Sequence, residues 1–175
     1  MISGVLTLFK TFGKMILLRK GPNDIPHSPF LLVVVAFLWL VIGSLAVVLI
    51  ETYKSSSLLI DLVLVVIGLA FYAVVVNLFG FSGRLTRCFT ALLGCSVLFS
   101  IVLYGGRLVF PMMLTATESD WTVQLIWLWS IPVEGHIIAR TIDRQWGIGF
   151  LIAVAVLIGQ LQLYTVFRSM FDAAT

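Results

Sequence analysis

The stretch FLLVVVAFLWLVIGSLAVVLI, residues 30–50, decides the fold class of this chain. It contains no charged residue, and its 21 residues match the roughly 20 that an α-helix needs to cross about 30 Å of hydrocarbon. A second stretch, residues 58–79, contains Asp61 as its only charged residue. Because a backbone inside lipid must satisfy its own hydrogen bonds, both stretches predict membrane-spanning helices.

The composition of the whole chain agrees with this interpretation. Of the 175 residues, 61% are hydrophobic and 11% are charged, against roughly 45–50% and about 25% in soluble domains. A soluble body of this size still leaves roughly a third of its chain surface in water, so it could not hide so many apolar side chains. The composition excludes a soluble enzyme, a disordered chain and a nucleic-acid-binding protein. It predicts an all-α integral membrane protein.

Three more apolar segments follow, at residues 88–114, 121–139 and 147–167. The first carries Arg107. The second is the weakest candidate for a span, because it holds Gln124, Pro132, Glu134 and His136. Together the five segments predict a bundle of five transmembrane helices within residues 30–175.

The first 20 residues predict an amphipathic helix. Its apolar side chains fall on one side and its lysines on another, which is typical of a helix lying in the membrane interface. The basic residues expected to contact anionic lipid are Lys10, Lys14, Arg19 and Lys20. The alternative is a helix packed against the bundle. Residues 21–29 contain three prolines and predict an extended elbow that cannot continue the helix.

The distribution of basic residues predicts the orientation. With five spans and a cytoplasmic amino terminus, eight basic residues face inward: Lys10, Lys14, Arg19, Lys20, Arg84, Arg87, Arg140 and Arg144. Only Lys54 and Arg168 face outward. A re-entrant fourth segment would give seven against three, so the positive-inside rule favours five spans and an outward carboxyl terminus.

Ionisable residues within the spans are the best functional pointers, because a charge inside the bilayer is costly. Asp61 and Arg107 are expected at similar depth near the outer face, where they predict an internal ion pair. The alternatives are an arginine that extends towards the outer interface and a substrate site at this pair.

Glu134 and His136 form a second polar group, at the inner half of the fourth segment. Their i,i+2 spacing points them about 200° apart on a regular helix, which argues against a shared ligand. We expect Glu134 to pair with Arg84 or Arg87, and His136 to face the headgroups. A proton relay or cation site is the alternative. Too few other ligands exist for a zinc site.

Small and polar residues predict how the helices pack. Gly149 with Ala153, and Ala155 with Gly159, have the small-xxx-small spacing that allows close helix approach. Gln160 and Gln162 are expected to find partners on other helices or on another subunit. Cys88 and Cys95 lie seven residues apart, about 10 Å along a helix, which is too far for a disulfide.

In layout, the chain resembles the Yip family of small five-span membrane proteins and its bacterial relatives. Two short segments are similar to segments of small inner-membrane proteins of proteobacteria. They are Gly21-Pro22-Asn23-Asp24-Ile25-Pro26 before the first span and Gly135-His136-Ile137-Ile138-Ala139-Arg140 before the last span. The resemblance implies a location in a bacterial inner membrane, with a periplasmic carboxyl terminus. It also implies a role in organising membranes or partner proteins, and it supplies no catalytic residues.

No phosphate-binding, metalloprotease, serine-hydrolase or CxxC motif occurs in the sequence, which predicts a protein without catalytic residues, cofactor or metal. The leading hypothesis is a non-catalytic membrane subunit or scaffold that organises partner proteins or lipid, with the amphipathic helix and elbow as its docking surface. The alternative is a small transporter, channel or lipid-handling protein that uses Asp61, Arg107, Glu134 and His136.

Overall fold

The computed structural model describes residues 2–49, 55–109 and 116–174, and within them it is all-α. The helices are α1 (Ile2–Ile16), α2 (Pro29–Leu49), α3 (Ser55–Leu78), α4 (Leu85–Val109), α5 (Ala116–Thr141) and α6 (Trp146–Ala174). Each of the five predicted spans coincides with one of the helices α2–α6 wherever the chain is described. The all-α prediction is therefore confirmed for these residues.

Three stretches of the described chain are long and apolar enough to cross a membrane: Leu58–Leu78, Ser82–Gly105 and Trp146–Ser169. The apolar part of α2 found in the described residues, Pro29–Leu45, is shorter. Helix α5 is not among them; its residues 121–139 include Gln124, Glu134 and His136. The structure thus supports a membrane protein with three apolar spans, fewer than the five predicted.

Helices α1, α3 and α5 end in the same way. Each is followed by a residue with positive φ: Leu18 at 58°, Gly80 at 82° and Asp143 at 49°. The next residue donates its N–H to a carbonyl five positions earlier, as in Arg144 N to Ala139 O at 3.0 Å. This arrangement satisfies the last helical carbonyls and stops the helix sharply. It lets α3 and α5 turn back into the helix that follows each of them.

The most extensive helix–helix interface joins α5 and α6. At its centre the two backbones touch: a Cβ on Gly135 would lie 2.7 Å from Phe150 Cα, and one on Gly149 would lie 2.7 Å from Ala139 Cβ. Only glycine allows this separation. The crossing fixes the position of Glu134, which is adjacent to Gly135.

The buried core lies between α1, α4 and α5. Met15, Cys88, Ala91, Ile137 and Ile138 have no exposed surface there. Helix α1 contributes Thr11, Phe12 and Met15 to this core, and the Phe12 ring lies over Gly94, nine residues into α4. The contacts of Phe12 and Met15 are therefore those of the alternative considered above, a helix packed against the bundle, whereas Phe9 on the same helix is exposed.

The elbow differs from the extended segment that its prolines predict. Pro22–Asp24 form a 3-10 turn, and the Gly21 N–H donates to the Asp24 carboxylate at 3.0 Å. The side chain of Ile25 is 1% exposed, because the turn packs against α4 and α5. Proline fixes φ near −65°, which suits a 3-10 turn as well as an extended chain.

Candidate functional site

A cavity of about 640 Å³ lies among α2, α3, α4, α5 and α6. Each helix lines it with residues three or four positions apart, which share one helix face. On α5 these residues are Trp127, Ser130 and Glu134, and on α6 they are Gln160 and Tyr164. The cavity is therefore formed jointly by the five helices α2–α6.

Polar side chains line this cavity inside otherwise apolar helices. They include Asp61, Ser96, Ser100, Ser130, Glu134 and Gln160. Among the described residues that line it, none is basic. Polar residues in membrane helices usually face a bundle interior or an aqueous cavity, and here they converge on one space.

Glu134 lines the cavity beside Tyr72 of α3. Its Oε2 accepts a hydrogen bond of 2.8 Å from the hydroxyl of Tyr72, whose side chain is 4% exposed. Tyr72 lies eleven residues beyond Asp61 on α3, about 16 Å along the helix axis. The cavity therefore has one acidic residue near the start of α3 and another beside Tyr72, further along the same helix.

The expected pairing of Glu134 with Arg84 or Arg87 is not what the structure shows. Arg84 instead donates to Asp143 at 2.7 Å and to the carbonyl of Thr141 at 3.1 Å. The Nε of Arg87 is buried without a hydrogen-bond partner among the described residues. Arg84 immediately precedes α4 and Arg87 lies in its first turn, whereas Glu134 faces the cavity. The sequence alone did not show that Glu134 lies away from both arginines.

The predicted pair of Asp61 and Arg107 is only half described. Asp61 lines the cavity and has an interaction within the protein. The side chain of Arg107 lies outside the described residues. The pairing stays a prediction.

Five aromatic residues are among those that line the cavity. Trp39 comes from α2, Phe99 and Tyr104 from α4, Trp127 from α5 and Tyr164 from α6. Rings from four helices therefore face one space that also contains carboxylates. The sequence analysis did not identify this set, although the spacing of Trp127, Ser130 and Glu134 on one face of α5 was a usable signal.

Gln160 has the cross-helix partner that the sequence predicts. Its amide donates to the carbonyl of Leu64 on α3 at 3.0 Å. A Cβ on Gly68 would lie 2.6 Å from the same amide nitrogen, so glycine leaves room for this contact. The bond joins α3 to α6 at the cavity wall.

His136 does not face the headgroups as expected. Its side chain is 7% exposed, and its Nε2 lies 3.1 Å from the carbonyl oxygen of Lys20. The Nε2–H tautomer donates at this distance. His136 thus anchors the elbow while Glu134 faces the cavity, so the two side chains have separate partners, in keeping with their i,i+2 spacing.

The other predicted residues differ in how exposed their side chains are. Gly149 and Ala153 are buried at or near the α5 crossing, whereas Ala155 and Gly159 are exposed on the described chain. Lys10, Lys14 and Arg19 are exposed, and Lys20 is half-buried. Cys88 and Cys95 are buried free thiols, as their spacing predicts.

The described residues contain no group of three or more histidine, cysteine, aspartate or glutamate side chains placed to hold a metal ion. Comparison of the chain with protein-family models, curated proteins and solved structures finds no match. The likeness to the Yip family therefore stays a prediction from sequence.

Proposed function

We propose that this chain is a non-catalytic integral membrane protein that binds a small molecule in its central cavity, as a small transporter or lipid-handling protein does. The observation that carries the proposal is the cavity itself. Its volume of about 640 Å³ falls within the roughly 300–1,000 Å³ of small-molecule sites. Its wall combines aromatic surface with a few converging polar groups, which is the usual composition of such sites.

The proposal includes five spans, a cytoplasmic amino terminus and a periplasmic carboxyl terminus. Helix α2, Pro29–Leu49, has a length of about 30 Å at 1.5 Å per residue, which matches a hydrocarbon core. Helix α5 is longer, and its polar residues Ser130 and Glu134 face the cavity rather than lipid. Polar residues in this position are tolerated in a span.

A non-catalytic scaffold is the second candidate function. Lys10, Lys14 and Arg19 are exposed, which favours binding to an acidic partner or to anionic lipid. Much of the docking surface assigned to α1 and the elbow, however, is already packed: Phe12, Met15, Pro22 and Ile25 are buried. We therefore place ligand binding first.

A tryptophan placed in the cavity tests the proposal. Ser100 lines the cavity, whereas Ser44 is exposed on α2 and serves as the matched control. The probes are three aromatic molecules of similar chemistry: cationic tetraphenylphosphonium, anionic tetraphenylborate and neutral triphenylphosphine oxide. Binding to purified protein in detergent is measured by titration calorimetry, with empty micelles subtracted.

We expect at least one probe to bind the unmodified protein and Ser44→Trp, and to bind Ser100→Trp at least about tenfold more weakly, because the indole fills the space. If no probe binds, or if Ser100→Trp binds as the unmodified protein does, the proposed function is wrong. The hypothesis of a non-catalytic scaffold would then remain.

A further inference from the structure

The wall of the cavity carries two features that attract the same kind of ligand. A cation is held by the face of an aromatic ring when it lies within about 6 Å of the ring centre. Five rings line the cavity, and they belong to Trp39, Phe99, Tyr104, Trp127 and Tyr164. Sets of aromatic rings are the usual means by which proteins recognise organic ammonium groups.

The ionisable side chains of the wall are of the type that pairs with a cation. Asp61 and Glu134 are the acidic residues among the described lining residues, and Glu134 is the one on which the inference rests. In the described chain Glu134 accepts a hydrogen bond from the Tyr72 hydroxyl, which carries no charge, so a cation in the cavity would supply the counter-charge of an ionised Glu134. In surroundings of low polarity, an ionised carboxylate attracts a cation more strongly than it does in water. It also repels an anion.

The cavity suits an organic cation better than a metal ion. Metal ions such as Ca²⁺ require six to eight oxygen ligands within about 2.6 Å, and no cluster of three or more ligating side chains exists in the described residues. A space of about 640 Å³ is also much larger than an ion. Aromatic walls provide apolar surface that a hydrated metal ion would not use.

We infer that the cavity binds an apolar organic cation, with the Glu134 carboxylate opposite its charge and the aromatic rings against its apolar groups. This inference rests on the proposed function, because it names the ligand class of the same cavity. Trp127 lies seven residues before Glu134 on the same face of α5, about 10 Å away along the axis. A molecule of the size of tetraphenylphosphonium can contact both.

Tetraphenylphosphonium and tetraphenylborate test the inference, since they share a shape and differ in the sign of their charge. After subtraction of micelle binding, we expect the protein to bind the cation at least about tenfold more tightly than the anion. The variant Glu134→Gln keeps the side-chain shape and an oxygen that accepts from Tyr72. It should weaken cation binding about tenfold and leave anion binding unchanged or stronger.

Trp127→Leu provides a second variant, because Trp127 is 53% exposed and its replacement disturbs little packing. It should weaken binding of the cation more than binding of neutral triphenylphosphine oxide, and Ser44→Trp should change neither. Equal or tighter binding of the anion overturns the inference, as does unchanged cation binding in a folded Glu134→Gln. In these cases the proposed function stands if Ser100→Trp still blocks the probe that binds.

Discussion

The Tyr72 hydroxyl donates a 2.8 Å hydrogen bond to Glu134 Oε2, and this bond joins α3 to α5 beside the cavity. The two residues lie 62 positions apart in the chain. Glu134 is held in place from two directions, by this bond and by the close α5–α6 crossing at the adjacent Gly135. The carboxylate therefore has a defined position rather than a mobile one.

Replacing Tyr72 by phenylalanine should destabilise the protein by about 1–3 kcal/mol, because it leaves a partly buried carboxyl acceptor without its hydrogen-bond donor. Thermal unfolding in detergent, followed by tryptophan fluorescence, measures the change. Tyr164→Phe is the control: in the described part of the chain the Tyr164 hydroxyl accepts a hydrogen bond of 3.3 Å from exposed Arg168, so the loss should be small. Equal losses in the two variants would show that the Tyr72–Glu134 bond contributes little.

Gly149→Ala should destabilise the α5–α6 hairpin by about 1–3 kcal/mol, since the new methyl group collides with Ala139 and the Gly135 backbone and the helices must separate. Gly159→Ala on the same helix has open space around the new Cβ and should change stability by no more than about 0.5 kcal/mol. The same unfolding assay compares them. If Gly149→Ala left the stability unchanged, that result would contradict the close crossing of α5 and α6.

Phe12→Ala should cost about 3–5 kcal/mol, as expected for a buried aromatic side chain, because Phe12 is 6% exposed and packs over Gly94. Phe9→Ala is the matched control, since Phe9 is 40% exposed on the same helix. It should have little effect on stability. If both variants unfold alike, α1 lies on the membrane surface rather than on the bundle.

Neutralising either Asp61 or Arg107 should destabilise the protein by about 3–5 kcal/mol if the two form a buried ion pair, because one charge is left uncompensated. Replacing both by apolar residues of similar volume should then recover much of the loss. Stability of the two single variants and the double variant gives the coupling energy. Additive losses would show that the residues do not interact.

The orientation is tested by reporters active only outside the cytoplasm. A reporter fused after Thr175 should be active and one fused after Arg144 inactive, because eight basic residues lie on the proposed inner side and the positive-inside rule retains them there. The reverse pattern would exclude the five-span topology with a cytoplasmic amino terminus.

The sequence determined the fold class and the positions of the helices. Uncharged runs such as residues 30–50 are helical in any membrane environment, because lipid offers the backbone no other partner. Local spacing also predicted that Glu134 and His136 would separate, that Cys88 and Cys95 would stay unpaired, and that Gln160 would need a partner on another helix.

Which helix faces meet depends on contacts between residues that lie far apart in the chain. The sequence placed Glu134 near Arg84, but the α5–α6 crossing at Gly149 turns Glu134 towards Tyr72 and leaves Arg84 to Asp143. Apolar residues that face lipid and apolar residues that face protein have the same composition, so the pattern could not show that Phe12 is buried and Phe9 exposed. The cavity depends on five helix faces at once, and a single sequence specifies each face without specifying their neighbours.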